Sequence, residues 1–267
     1  MTLMKDRHLD SSQLDSHLAS SVDSIHVLTV NTHKGFTTFN RRFILPELRE
    51  AVRATSADMV FLQEVLGTHE RHALRFANWP ATPQYEFLAD SIWPDFAYGR
   101  NAVYPDGDHG NALLSKFPIT AFENLDVSIA GPERRGLLHS VVQVPGHERL
   151  HAICVHLGLR EVHRQKQLRL LCDLVDRLPP EDPVVIAGDF NDWRRRADQV
   201  LGDCHGLYEV FEHTLGQLPR TFPARWPLLC LDRIYVRNLQ AKKAVVLGNK
   251  PWSHLSDHLP LAVELAL

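Results

Sequence analysis

The sequence predicts an α/β fold, and three observations carry that prediction. Short β-branched apolar runs alternate with stretches of helical period. Of the 267 residues 44% are hydrophobic, enough to bury one large core. Five of the apolar runs begin or end beside an acid, an asparagine or a histidine. In chain order, the run at residues 25–30 ends on Asn31. Residues 43–54 read as a helix because Ile44, Leu48 and Val52 recur every four residues, and Asp58 marks the return into the strand at 59–62, which ends on Gln63-Glu64. Residues 137–144 read as a further strand preceded by Arg134-Arg135. Residues 165–178 are the clearest helix: Leu168, Leu171, Val175 and Leu178 form one stripe, Arg164, Lys166 and Arg169 face out, and Pro179-Pro180 ends it. A strand at 183–187, a short helix to about residue 201, a Pro-punctuated loop at 216–227 bordering the cleft, and strands at 231–236 and 259–265 complete the layout.

The most informative stretch is Gly188-Asp189-Phe190-Asn191-Asp192, directly after the apolar run Pro183 to Ala187. A buried strand ending there delivers an acid and an amide to a sheet edge, where α/β folds keep their chemistry. Two residues apart in extended or tightly turned backbone, Asp189 and Asn191 can point the same way and hold a water and a phosphate oxygen together. A lone D-x-N is also what an Asx turn closing a strand looks like, so the motif gains its meaning from the other strand ends.

Asn31 in Val30-Asn31-Thr32, Glu64 in Leu62-Gln63-Glu64, His156 in Val155-His156-Leu157, Asp189 and Asn191, Asp232 in Leu231-Asp232-Arg233, and Asp257-His258 after Ser256 form an ordered set from one end of the chain to the other. That set resembles the endonuclease/exonuclease/phosphatase superfamily, whose DNase I-like fold serves nucleases, inositol-polyphosphate phosphatases and neutral sphingomyelinases. The resemblance implies a four-layer sandwich, two packed mixed sheets flanked by helices, with the catalytic groups at one end, and it makes residues 110–119 look like the family's central hairpin, a strand broken by a turn at Phe117-Pro118. It implies hydrolysis of a phosphate ester with Mg²⁺, or Mn²⁺, as cofactor. Glu64 is the expected metal ligand, with Asn31 and Asp257 as supporting ligands or as partners behind it. Asp189 would orient and deprotonate the attacking water, Asn191 would hold water or a phosphate oxygen, and His156 would donate to the phosphate. His258 would meet the phosphate as a cation kept protonated by Asp232. His33, His109 and His139 have no such support; His109 could line the cleft, but Asp108-His109-Gly110-Asn111 reads more readily as a polar turn.

Two basic clusters suggest substrate contacts. Arg194 and Arg195, with Arg196, follow Trp193 at the presumed rim, where a helix's solvated first turn would look the same; Arg135 precedes the strand at 137–144. A net charge of −3 denies the chain a globally basic face, so nucleic-acid binding would depend on such local clusters. Cys154, Cys172, Cys204 and Cys230 are widely spaced without a CxxC motif and read as reduced thiols in a reducing, cytoplasmic compartment. Residues 1–24 lack an apolar core and read as a mobile arm, neither signal peptide nor anchor; residues 25–267 read as a single domain, expected to act as a monomer without stable membrane insertion.

Branches of the family divide the expectation. Glu64 is followed by Val65-Leu66 rather than the Thr/Ser-Lys of abasic-site endonucleases, and Trp226 and Cys230 only faintly echo the Trp-Cys segment of inositol-polyphosphate phosphatases. The chain looks most like compact bacterial members of the superfamily. A nuclease acting on DNA or RNA is the leading expectation, because Trp193 can stack on a base beside the arginines. A phosphodiesterase or phosphatase of phospholipid or inositol phosphate is the alternative, supported by the acidic overall balance; an apolar rim would favour it, and no long run in the sequence displays one. A catalytically silent binding module is disfavoured by the full complement of reactive residue types.

Overall fold

The computed structural model describes residues 22–267 other than Asp203 and His205. The arm expected over residues 1–24 therefore lies outside the described residues except at its end, where Ser24 already opens a strand. Twelve strands form two six-stranded sheets. The first sheet holds β1 (Ser24–Asn31), β2 (Met59–His69), β3 (Asp95–Tyr104), β4 (Gly107–Ser115), β11 (Gln240–Val246) and β12 (Leu261–Ala266), in the order β11-β12-β1-β2-β4-β3. The second holds β5 (Ile119–Asp126), β6 (Gly136–Val144), β7 (His147–His156), β8 (Val184–Asp189), β9 (Tyr208–Glu209) and β10 (Asp232–Arg237), in the order β5-β6-β7-β8-β10-β9.

Strand alternation explains the layers. Val27, Phe61 and Leu113 of the first sheet face Leu138, Cys154, Val185 and Ile234 of the second, and together they fill the space between the sheets. The opposite faces are covered by helices: α1 (Leu45–Ala54) and α3 (Gln84–Ala89) on the first sheet, α4 (Glu161–Asp176) and α5 (Ala197–Leu201) on the second, while the short α2 (Glu70–Arg75) follows β2. Helix, sheet, sheet, helix is the four-layer sandwich that the sequence implied. In α1 the buried residues Leu45, Leu48 and Val52 keep the helical spacing, and Pro46 sits in its first turn, where a missing N–H costs nothing.

Three local expectations are corrected. Phe117-Pro118 is not a hairpin turn: β4 pairs with β3 and β5 with β6, so the segment carries the chain from one sheet to the other. Arg164 does not face solvent. It precedes Leu168 by four residues and Leu171 by seven, which places it on the apolar stripe of α4, and burial is tolerated because its guanidinium donates to the carbonyls of Gly158 and Leu159 at 3.0 and 2.7 Å and pairs with Glu161. The cysteines are not all reduced: Cys172 of α4 and Cys204 just beyond α5 are joined in a disulfide with their Cα atoms 5.7 Å apart, while Cys154 and Cys230 are free and buried. Packing of α5 against α4 brings together two thiols 32 residues apart, which removes the spacing argument for a reducing compartment. No helix among the described residues is long and apolar enough to cross a membrane.

Candidate active site

Strand direction gathers the polar strand ends. β7 and β8 run parallel, with His156 beside Asp189, and β10 runs antiparallel to β8, so its first residue, Asp232, stands opposite Asp189. In the other sheet β1 ends on Asn31 parallel to β2, and His258 lies just before β12, antiparallel to β1. Both sheets therefore present their chemistry at one edge. The close pairing of β7 and β8 requires Gly188: at φ +147° a Cβ there would sit 2.0 Å from the Val155 carbonyl oxygen.

Asp189 is the centre of the arrangement. Its Oδ2 accepts from Asn31 Nδ2 at 3.2 Å and lies 3.7 Å from His156 Nε2 and 3.8 Å from His258 Nε2. Its Oδ1 accepts from the Asn191 backbone N–H at 2.8 Å, an Asx turn that sets Asn191 in left-handed backbone at φ +50°. The Asn191 side chain donates to the Leu157 carbonyl at 2.9 Å, which fixes the amide with its oxygen left for another partner. His258 Nδ1 donates to Asp232 Oδ2 at 2.9 Å, its backbone N–H to Ser256 Oγ, and Phe222 packs on its ring at 5.0 Å. Ser256 Oγ in turn donates to the Asn31 carbonyl at 2.7 Å, tying the last strand's approach to the end of β1.

The charges follow from burial and neighbours. Burial opposes a cation at His258, but Asp232 and Asp189 outweigh it and hold the imidazole pKa up at about 10. Burial likewise raises the Asp189 carboxyl to about 7 against the pull of the His258 cation, with Asp232 and Glu64 adding to the rise. His156 is held well below its usual value by burial and by the charge of Arg135, so it meets Asp189 as a neutral ring.

Glu64 sits at a bulge in β2, between Leu62 and Val65, in left-handed backbone at φ +54°. That kink turns its half-buried carboxylate into the cleft, where His156 Nε2 lies 4.0 Å away. Asp257 lies beside His33, Oδ2 to Nε2 3.8 Å, and the His33 backbone N–H donates to Asn31 Oδ1 at 3.0 Å. Ligand atoms of Asp189, Asp232 and His258 also lie within 4.8 Å of one another, a spacing a metal could use. Within the trio His258 Nδ1 is already spent on Asp232 Oδ2, which leaves Nε2 as the ring atom that faces Asp189 and the cleft.

These groups open into a cleft of about 330 Å³ lined by Glu64, Arg135, His156, Asp189, Asn191 and His258, with Leu159, Trp193, Phe222, Leu229 and Leu231 as its apolar walls. Arg135 and Trp193 thus stand where the sequence placed them. Arg194 and Arg195 do not line the cleft: Arg194 stacks on Trp193 at 4.5 Å and Arg195 Nη2 reaches Cys230 Sγ at 3.8 Å. His109 is no turn residue. It lies within β4 opposite Leu66 and Ala102, and burial with the charge of Lys34 pushes it down to about 4 against the pull of Glu64. Lys34, which sequence reasoning passed over, also acts on His156. No local motif marks it, because it reaches the site from an irregular segment after β1.

Against known proteins, the profile of the Endonuclease/Exonuclease/phosphatase family matches residues 28–258. The chain belongs to this family. The family is one of metal-dependent phosphoric ester hydrolases. YbhP of Escherichia coli K12 is 57% identical over 245 residues, 91% of this chain and 97% of that protein. A UPF0294 protein of Yersinia pseudotuberculosis is 30% identical over 223 residues, 82% of this chain and 76% of its own. Among solved structures, an endonuclease/exonuclease/phosphatase protein from Beutenbergia cavernae superposes with a TM-score of 0.72 at 20% identity, over 92% of this chain and 72% of that one. TDP2 of D. rerio, complexed with a single-strand DNA product, gives 0.71 at 20% identity over 91% and 99%. At that identity the solved structures speak for the fold, a DNase I-like sandwich.

Proposed function

We propose that this endonuclease/exonuclease/phosphatase protein hydrolyses phosphodiesters, with Asp189 as the base for the attacking water. The observation that carries the reading is the placement of one buried carboxylate between Asn31, a neutral His156 and a cationic His258, at the floor of a cleft that also holds Arg135. A carboxyl pKa near 7 suits a base that must take a proton at neutral pH. Water attacks phosphorus and passes its proton to Asp189; the P–O bond to the departing alcohol breaks with its electron pair, and solvent protonates the alkoxide. His258 donates from Nε2 to a non-bridging phosphate oxygen, where its positive charge offsets the charge that builds up in the transition state. Asp232 orients that ring through Nδ1. His156 supplies a second, neutral donor, and the Asn191 amide oxygen holds the water.

The oxygen donors of Glu64, Asp257 and the Asn31 amide fit a hard divalent cation such as Mg²⁺ or Mn²⁺, and Glu64 would be its principal holder because its carboxylate accepts no protein hydrogen bond among the described residues. When bound, the ion would neutralise phosphate charge and polarise the phosphorus centre. Asn31 spends its amide hydrogen on Asp189, so it also sets the base's orientation. The test is Glu64→Gln, with hydrolysis of bis(p-nitrophenyl) phosphate followed against Mg²⁺ concentration. Loss of metal-dependent turnover with an unchanged thermal unfolding curve is expected; wild-type turnover and metal affinity would sink the assignment.

A polynucleotide would use Trp193 for base stacking, as the sequence suggested, with Arg135 on the same cleft wall as a further cation. Arg194 and Arg195 stand exposed beside the cleft rather than lining it, so a contact from them would be to parts of a substrate outside the cleft.

A further inference from the structure

The mouth of the cleft is framed by three loops that repeat one composition. Residues 158–162 expose Leu159, Arg160 and Val162; residues 193–196 expose Trp193 and three arginines; residues 225–229 expose Arg225, Trp226, Leu228 and Leu229. Leu159, Trp193 and Leu229 line the cleft itself, so the three loops surround one opening. The outer side chains are among the most exposed large apolar groups of the described residues, with Trp226 at 76% and Val162 and Leu228 at 67%. Arginine is the charge of this rim. Arg160, Arg194, Arg195, Arg196 and Arg225 are all exposed, and the loops' acid, Glu161, is tied to Arg164 and Gln165. In a chain of net charge −3 that is a local concentration of positive charge.

We infer that this rim is a docking face for the surface of an anionic phospholipid bilayer, and that the phosphodiester reaching Asp189 is a lipid headgroup. The inference rests on the phosphodiesterase reading for its substrate half and on the rim alone for its docking half. Side chains left in water at such exposure cost free energy unless something covers them, and exposed apolar side chains on segments that share one cleft mark an interaction surface. A bilayer meets both halves of the composition: Trp and Leu tips enter the boundary between headgroups and acyl chains while arginines stay with the lipid phosphates. A polynucleotide meets only one half. Its bases stack on Trp193 and Trp226, but Leu159, Val162, Leu228 and Leu229 present no ring to a base, and nucleic-acid interfaces are predominantly polar. The rim is invisible in the sequence because each loop contributes only three or four of its residues.

The test is sedimentation of the full chain with vesicles in the presence of EDTA, so that binding is read without catalysis. Vesicles of phosphatidylglycerol and phosphatidylcholine in equal parts are compared with phosphatidylcholine alone, and a single-stranded oligonucleotide serves as competitor. Expected are salt-sensitive binding to the anionic vesicles, weaker binding to the neutral ones, and no displacement by the oligonucleotide. Trp226→Ser with Leu228→Ser should weaken vesicle partition about tenfold or more, since each anchor removed forfeits the burial of a large apolar group. Arg225→Gln should weaken it less and flatten its salt dependence. Neither side chain lines the cleft, so hydrolysis of bis(p-nitrophenyl) phosphate should be unchanged, which also shows that the variants fold. Absence of vesicle binding, equal partition of wild type and the Trp226/Leu228 variant, or displacement by the oligonucleotide would overturn the docking inference. Variant-sensitive vesicle binding by a chain that hydrolyses no phosphodiester would uphold docking and remove the proposed reaction.

Discussion

If Asp232 keeps His258 cationic, Asp232→Asn should move the alkaline limb of the pH–rate profile to lower pH. The displacement of the imidazole from 6.5 to about 10 corresponds to on the order of 5 kcal/mol in favour of the cation. Burial works against that cation, and Asp232 is the strongest of the groups overcoming it, touching the ring at 2.9 Å. Asp189, at 3.8 Å, is the second. Removing Asp232's charge should forfeit roughly half of the preference, about 2–3 kcal/mol, and bring the limb down to roughly pH 8. Stability carries the same signature. A group whose folded pKa is raised stabilises the fold fully below its unfolded value of 6.5, and that contribution is lost as pH rises toward 10, so the wild type should weaken over this window and the variant should weaken less. The assay is turnover of bis(p-nitrophenyl) phosphate at saturating Mg²⁺ from pH 6 to 10, with the His258 ring followed by NMR. His258→Ala should remove most of the rate, and adding Asp232→Asn to it should cost little more, because two groups acting as a unit are not additive. An unmoved limb, an unmoved ring titration, or fully additive losses would refute the dyad.

Three further substitutions probe the scaffold. Gly188→Ala should destabilise by about 3 kcal/mol or more and abolish turnover, because the new Cβ meets the Val155 carbonyl at 2.0 Å and must part β7 from β8 where His156 faces Asp189; denaturant unfolding and kinetics read the two effects. Cys172→Ser should lower unfolding stability by about 3–4 kcal/mol for a closed loop of 32 residues, and the wild type should show the same loss when reduced. Asn111→Leu should cost about 1–3 kcal/mol and lower kcat more than it raises KM, since its amide donates to the Gly136 and Cys154 carbonyls across the two sheets.

What the sequence disclosed was what local chemistry controls. Asn31, Glu64, His156, Asp189 and Asp232 each stand at the boundary of an apolar run and a polar residue, and strand direction then brings those boundaries to one edge. What it hid depends on contacts between elements. The Cys172–Cys204 disulfide needs α5 laid against α4, a fact no spacing contains. Arg164 was legible in principle, since it shares the stripe of Leu168 and Leu171, but its charge argued for solvent until the Gly158 and Leu159 carbonyls supplied a buried use for it. His109 and Lys34 act on the site from β4 and from an irregular turn, where neither residue belongs to a motif. The apolar rim is the extreme case, divided among three loops far apart in the chain.

The site straddles the two sheets, and that has a mechanical consequence. Asn31, Glu64 and His258 come from the first sheet; His156, Asp189 and Asp232 come from the second. The Asn31–Asp189 and His258–Asp232 hydrogen bonds are therefore links between sheets. Deeper in the sandwich the same division is bridged by buried polar ties: Gln63 donates to Cys154 Sγ at 3.3 Å, Cys154 Sγ to the Leu62 carbonyl at 3.4 Å, and Asn111 to the Cys154 and Gly136 carbonyls. An apolar sandwich core is held by non-directional forces and tolerates small slides of one sheet over the other. Directional bonds in a buried setting do not, because a slide would strand their partners without water. These ties sit one layer beneath Asp189 and fix the offset of the sheets where the cleft needs it, so the distances that set the charge of His258 and the basicity of Asp189 are properties of the sheet-to-sheet register.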